Sequence, residues 1–98
     1  MTRPLAYAPE AGEDIDTSYS HYEQRLPGLG DRFLQAVRRC VERIVSAPEA
    51  YGVVEADLRA APHKRFPHLV IYRVEADRVL VIAVQHGRRN SEAWRDRI

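Results

Sequence analysis

HLVIYRVEADRVLVIAVQH, residues 68–86, decides the fold. Two runs rich in β-branched residues flank the acidic turn EADR, and such runs predict antiparallel strands joined as a hairpin. With residues 76–77 as a two-residue loop, the register has three expected pairs: Val74 with Val79, Tyr72 with Val81, and Val70 with Ala83. Because a slip of one residue exchanges the two faces of a strand, this register determines which side chains meet.

Both faces of the predicted hairpin are apolar. The face opposite Val74 and Val79 carries Arg73 and His86 as its polar members. Two helices can cover one face of a small sheet, but little chain remains for the other. We expect either the C-terminal SEAWRDRI, residues 91–98, or a partner to cover it, because exposed apolar surface rimmed by arginines marks binding sites.

Two amphipathic helices precede the hairpin. The first, over residues 10–25, has apolar side chains at helical spacing: Ile15, Tyr19, Tyr22 and Leu26. A second apolar stripe runs from residue 33 to 45 and ends at the SAP of residues 46–48. The short PGLG connection at residues 27–30 predicts that the helices lie antiparallel as a hairpin.

Two further segments predict strands. RPLAYAP, residues 3–9, reads as a brief edge strand that Pro9 ends. Residues 51–66 alternate poorly, and Pro62 favours an edge strand or a bulge over a central strand.

Length and composition restrict the class of protein. A chain of 98 residues predicts one domain, residues 1–98, and 45% hydrophobic with 30% charged residues is typical of a globular protein. The sequence shows neither a membrane-spanning run nor an N-terminal signal peptide. Cys40 has no partner for a disulfide, so we expect a packed side chain in a cytoplasmic protein.

The net charge of +1 conceals an asymmetry between the two halves. Residues 1–49 hold six Lys/Arg against eight Asp/Glu, a balance of −2, and residues 50–98 hold nine against six, a balance of +3. Between residues 58 and 74 there is no acid at all. The second half therefore favours a phosphate backbone or an acidic partner, although a solvated face gives the same pattern.

The residues able to carry chemistry form one basic group: Arg59, Lys64, Arg65, Arg73, His86, Arg88 and Arg89. The four histidines lack ligand spacing such as His-x3-His, so we expect no metal and no cofactor. RNA cleavage without a metal needs a base, an acid and cations around the phosphate, for which His86 and the arginines are the candidates. Alternatively, the arginines pair with acids of the chain or of a partner.

At the motif level the chain resembles the RelE/ParE superfamily of type II toxin–antitoxin toxins. The resemblance covers residues 9–97 and rests on three motifs in order: Pro-Gly-Leu-Gly at 27–30, Lys-Arg-Phe-Pro at 64–67 and His-Gly-Arg-Arg at 86–89. It implies an α+β fold, β-αα-βββ-α, with an N-terminal edge strand, an antiparallel helical hairpin on a small antiparallel sheet and a short C-terminal helix. The segments derived above follow that order.

The resemblance also implies the function and the partners. RelE-like members are metal-independent endoribonucleases that cut mRNA on the ribosome, and ParE-like members inhibit DNA gyrase. In both, a cognate antitoxin wraps around the toxin, which implies a toxin–antitoxin hetero-oligomer. No membrane partner is implied.

By position, the resemblance places residues of this chain in two roles. The partner-binding candidates are Arg59, Lys64, Arg65, Arg73, Arg88, Arg89 and Trp94. His86, Arg65 and Arg89 would be catalytic only in a ribonuclease. Trp94 stands where ribonuclease members place a tyrosine, and indole is neither an acid nor a base at neutral pH. The expected function is therefore gyrase inhibition, with the ribonuclease as alternative and a non-toxic partner-binding module as a further alternative.

Overall fold

The computed structural model describes residues 3–63 and 65–86 of the chain. Within these ranges an N-terminal strand precedes two helices and four further strands: β1 (Leu5–Tyr7), α1 (Pro9–Arg25), α2 (Leu29–Ser46), β2 (Val53–Glu55), β3 (Leu58–Pro62), β4 (His68–Val74) and β5 (Val79–His86). The expected α+β class, the helical hairpin and the brief first strand are confirmed. The expected C-terminal helix lies outside the described residues.

The connection between the helices is held by a single carboxylate. Gly28 has a φ of 90°, a left-handed conformation that glycine adopts without steric cost. The Glu23 carboxylate accepts the backbone N–H groups of Gly28, at 3.0 and 3.1 Å, and of Gly30, at 3.0 Å. It thereby satisfies free donors at the start of α2, where negative charge is favourable. The PGLG motif is thus a helix-hairpin turn.

The sheet is mixed and has the order β1-β5-β4-β3-β2 in the described residues. The expected antiparallel sheet gains one parallel pair, because β1 runs alongside β5 with Leu5 opposite Val79 and Tyr7 opposite Val81. Parallel pairing needs a long connection, and the whole chain between β1 and β5 supplies it.

Pro62 lies where β3 has a free edge. β2 pairs with β3 only through Leu58 and Arg59, so the end of β3 has β4 as its one strand neighbour. A proline at that point removes no ladder hydrogen bond on the open side. β3 is therefore an edge strand at Pro62, as predicted. At Leu58 and Arg59, where β2 also pairs with it, the same strand is interior.

A β-bulge in β5 corrects the predicted hairpin register. Val74 pairs with Val79 and Tyr72 with Val81, as predicted, but Ile71 then pairs with Ala83, so that Ile82 is an extra residue. The predicted pair of Val70 with Ala83 is wrong, because Val70 pairs with Val84. An extra residue in one strand exchanges the faces of every side chain beyond it.

The bulge also overturns the expectation that Arg73 and His86 share a face of the sheet. Beyond Ile82, the side chains of Val84 and His86 change to the helix side, where His86 lies opposite His68. Arg73 stays on the other side, two residues from Ile71 in the regular strand β4. The two predicted site residues are therefore separated by the sheet.

Two buried clusters lie on the two sides of the sheet. The larger one joins the helices to the sheet and includes Phe33, Cys40, Ile44, Tyr72 and Val81. The smaller one is on the opposite face and consists of Leu58, Ile71, Ile82 and Ala83, each at most 5% exposed. Both faces are thus apolar, as predicted, and the apolar residues around the outer cluster, Ala60, Leu69 and Leu80, are partly buried.

Candidate functional site: a histidine pocket between α1 and the sheet

A cavity of about 520 Å³ lies where α1 crosses the ends of β4 and β5. On the helix side it is lined by Asp14, Thr17, Ser18, His21, Tyr22 and Arg25. On the sheet side it is lined by Phe66, Pro67, His68, Val84, Gln85 and His86. We call this cavity the histidine pocket. Its mixture of aromatic walls and a few polar groups is typical of a binding site.

The floor of the pocket is a set of packed rings. The ring centroids of His68 and His86 are 5.7 Å apart, and those of Tyr22 and Phe66 are 5.0 Å apart in an edge-to-face arrangement. His63 stacks behind His68 at 5.9 Å. Such offset and edge-on contacts add to burial and fix the orientation of the rings.

Burial keeps the two inner histidines neutral. His63 and His68 are each 7% exposed. Burial, then the neighbouring His68 and Arg43, lower the pKa of His63 to about 4. For His68, burial and then His86 lower the pKa to about 4, against an opposing effect of Asp14. Desolvation disfavours a charged imidazole, so both rings are neutral at neutral pH.

Polar contacts from α1 hold the sheet side of the pocket in place. The Val84 N–H, just beyond the bulge, donates to Oδ2 of Asp14 at 3.0 Å. Ser18 Oγ lies 3.3 Å from Nε2 of His68. Nδ1 of His68 and both ring nitrogens of His63 are buried and have no hydrogen-bond partner among the described residues. Most buried polar atoms in proteins are paired, so these three nitrogens are exceptions within the described core.

Three arginines of the predicted basic group lie in the described part of the chain, and each has a different environment. Arg59 donates to the backbone carbonyls of Tyr51, at 2.6 Å, and Glu49, at 3.3 Å, and so ties the loop after α2 to the sheet. Arg73 pairs with Asp57 at 3.1 Å on the outer face. Arg65 is exposed in the loop before β4. Lys64, Arg88, Arg89 and Trp94 lie outside the described residues.

Sequence reasoning missed most of the histidine pocket. It included His86, but it tested the other histidines only for the spacing of metal ligands along the chain. The histidines come close together because α1, a loop and two strands meet at the pocket. His68, at the start of an apolar run, was the one local signal, since a histidine at a strand end can be packed against a helix. Cys40 is packed as expected, at 0% exposed, and burial raises the pKa of its thiol.

Two further findings concern metal binding and membrane spans in the described residues. They contain no group of three or more His, Cys, Asp or Glu side chains able to hold a metal ion. Among residues 3–63 and 65–86, neither helix is long and apolar enough to cross a bilayer. With the rings of Tyr22, Phe66 and His68, the exposed guanidinium of Arg25 and several hydroxyl groups, the pocket is suited to binding an aromatic and hydrogen-bonding group.

A helical hairpin over one side of a five-stranded mixed sheet defines the class of protein. This architecture, with the three motifs, is that of the RelE/ParE superfamily of toxins. Residues 5–91 match the model of the ParE toxin of type II toxin–antitoxin systems, parDE. The chain belongs to this ParE toxin family.

Individual relatives agree with this assignment. Toxin ParE2 of Mycobacterium tuberculosis, from strains CDC 1551/Oshkosh and H37Rv, is 30% identical over 97 residues, which cover 95% of this chain and 90% of the relative. A solved chain of the chromosomal ParDE toxin–antitoxin system from P. aeruginosa superposes with a TM-score of 0.68. It covers 87% of this chain and 96% of its own length at 22% identity, so it is similar in fold.

Proposed function

We propose that this chain is the toxin of a two-protein module, that a cognate antitoxin holds it inactive, and that the released toxin inhibits DNA gyrase. The observation that carries the proposal is family membership over residues 5–91, which include every described element. The proposed antitoxin complex is a hetero-oligomer, and the proposed compartment is the cytoplasm, where gyrase acts.

The contacts of two arginines of the basic group, Arg59 and Arg73, favour a structural role for them over RNA cleavage. A ribonuclease needs a proton acceptor and phosphate-binding cations on one surface. His86 lies on the helix side of the sheet, and Arg73 lies on the outer side in an ion pair with Asp57. Arg59 is occupied with backbone carbonyls. These two arginines thus have structural contacts, and the tryptophan at position 94, where ribonuclease members place a tyrosine, supports the ParE-like activity as the first candidate.

Gyrase inhibition is testable with the purified chain. We expect it to inhibit ATP-dependent supercoiling of relaxed plasmid and to accumulate cleaved DNA in a gyrase-dependent manner, with relief by the antitoxin. Induced cells should filament with the DNA-damage response active while mRNA stays intact. Unaltered supercoiling at a molar excess of chain over gyrase would exclude this target.

The same induction experiment separates the alternatives. Codon-positioned mRNA cuts would identify a ribonuclease, and His86→Ala should then abolish them. Normal growth at confirmed expression, together with a stable antitoxin complex, would identify a non-toxic binding module.

Arg65→Ala should weaken antitoxin binding more at low salt than at high salt if charge dominates the contact, because screening removes the difference.

A further inference from the structure

We propose that the histidine pocket is the anchor site for the antitoxin, and that it accepts an aromatic side chain with a carboxylate next to it. The inference rests on the proposed function, because it gives the antitoxin contact a place and a chemistry. It is carried by the shape of the cavity, by the rings that line it and by the distribution of charge along α1.

The walls of the pocket fit an aromatic ring. Its volume of about 520 Å³ lies within the range of about 300–1,000 Å³ that is typical of ligand sites. Tyr22 and Phe66 are half-buried and pack edge to face. The neutral ring of His68 lies beside Tyr22, with their ring centroids 5.8 Å apart. A ring placed in the pocket therefore meets ring faces and edges on several sides, and such contacts dominate protein interfaces.

The rim of the pocket fits a carboxylate. Arg25 is exposed at the end of α1 and forms no ion pair with residues 3–63 or 65–86. His21 lies one helical turn before Arg25, so both side chains are on the same side of α1. A planar guanidinium binds a carboxylate through two parallel hydrogen bonds.

The acid in the pocket is placed where it does not oppose this carboxylate. Asp14 is eleven residues before Arg25, which corresponds to about 16 Å along a helix. Its Oδ2 accepts the Val84 N–H. The cavity thus has a basic end at Arg25 and an acidic end at Asp14, whose carboxylate is already hydrogen-bonded. An occupant with an aromatic ring and a neighbouring carboxylate would therefore place the carboxylate at the Arg25 end.

Competing described surfaces lack this combination. Arg73 is paired with Asp57, and Arg59 is bonded to carbonyls. On the outer face, Leu58, Ile71, Ile82 and Ala83 are buried, and the apolar residues around them are partly buried. The sheet side of the pocket belongs to the second half of the chain, whose formal balance of +3 also favours an acidic segment as partner, whereas α1 belongs to the first half, whose balance is −2.

Filling the pocket tests the proposal directly. Thr17 and Ser20 are both exposed on α1, but Thr17 lines the pocket and Ser20 does not. Thr17→Trp should weaken binding of the antitoxin encoded by the neighbouring reading frame by about tenfold or more, and Ser20→Trp should change it by less than about twofold. Circular dichroism and thermal melts confirm that both variants fold.

The outcomes of this titration are distinct. Equal affinity of Thr17→Trp and wild type would overturn the pocket as anchor site and leave the proposed function intact. If the wild-type chain does not bind the antitoxin at all, the proposed function itself fails. A loss of affinity in both variants would place the contact on α1 in general and would also overturn the proposal.

A small probe tests the chemistry of the occupant without the antitoxin. Millimolar N-acetyl-tryptophan should shift the backbone amide signals of His21 and Gln85, and N-acetyl-tryptophanamide, which lacks the carboxylate, should shift them less. Arg25→Gln should remove the difference between the two probes, and Arg32→Gln, at an exposed arginine of α2, should preserve it. No shift with either probe, or equal shifts with both, would overturn the proposed chemistry.

Discussion

At the scale of single residues, the turn between the helices requires a glycine at position 30, because there is no room for a side chain. A Cβ built at Gly30 lies 2.8 Å from the ring of Tyr19 and 2.9 Å from Oε1 of Glu23. The same carboxylate oxygen accepts the Gly30 N–H, so it cannot withdraw without losing that bond. Glycine at this position is therefore required by packing.

We predict that Gly30→Ala destabilises the fold by about 1–3 kcal/mol, the usual cost of overpacking. Gly12, inside α1, has no atom within 4 Å of a built Cβ, and Gly12→Ala should stabilise by about 0.5–1 kcal/mol because alanine is the better helix former. Urea unfolding of both variants measures the difference. Equal stability of Gly30→Ala and wild type would contradict the packing argument.

The two buried histidines predict a pH dependence of stability. Their pKa of about 4 in the folded chain lies below the ordinary value of 6.5. Between these values the unfolded chain binds more protons, so the free energy of unfolding rises with pH in this window and falls on acidification. Each pKa unit corresponds to about 1.4 kcal/mol, so the loss across the window is on the order of a few kcal/mol.

His63→Phe isolates this effect, because phenylalanine keeps a ring beside Phe33 and His68 but binds no proton. We expect the variant to lose less stability than the wild type when the pH is lowered from neutral to about 5, above the range in which most carboxylates titrate. Chemical denaturation at several pH values measures the slopes. If the free energy of unfolding falls equally with pH in the variant and the wild type, His63 does not contribute to the pH dependence of stability.

At the scale of elements, the bulge in β5 and helix α1 are coupled through one hydrogen bond. Asp14 accepts the Val84 N–H immediately after the bulge, and this contact lies next to the histidine pocket. A bulge leaves backbone groups outside the regular ladder, and a side chain of α1 supplies the acceptor here.

We predict that Asp14→Ala costs about 1–3 kcal/mol, because it leaves the buried Val84 N–H without its acceptor. Asp14→Asn retains an oxygen acceptor and should recover part of the loss. The exposed Asp16→Ala is the matched control on the same helix. Hydrogen exchange of the Val84 amide checks the local effect, and unchanged protection in Asp14→Ala would refute the coupling.

At the scale of the whole molecule, family membership predicts that stability depends on the partner. A ligand that binds only the folded chain raises its stability, by about 2.7 kcal/mol at a concentration a hundredfold above its Kd. We expect the antitoxin to raise the thermal midpoint of this chain in a concentration-dependent manner, as read by differential scanning calorimetry. A midpoint that does not move over a broad antitoxin range would contradict the proposed complex.

The sequence by itself determined the two helices, the hairpin of β4 and β5 and the family, but not the division of residues 51–66 into β2 and β3. The apolar stripes of α1 and α2, the proline that follows α2 and the turn between β4 and β5 are local patterns that can be read from neighbouring residues alone. They gave the helical hairpin, the α+β class and the first two pairs of the hairpin correctly. The order of the three motifs gave the superfamily.

Only the tertiary structure decided the register beyond Ile82, the parallel pair of β1 with β5 and the site. In VLVIAV, residues 79–84, every side chain is apolar, so no alternation of polar and apolar residues shows where a bulge shifts the faces. The position of His86 follows from that shift. Contact between α1 and the ends of β4 and β5 then places Asp14 and Ser18 beside Val84 and His68, a long-range arrangement that no spacing along the chain encodes.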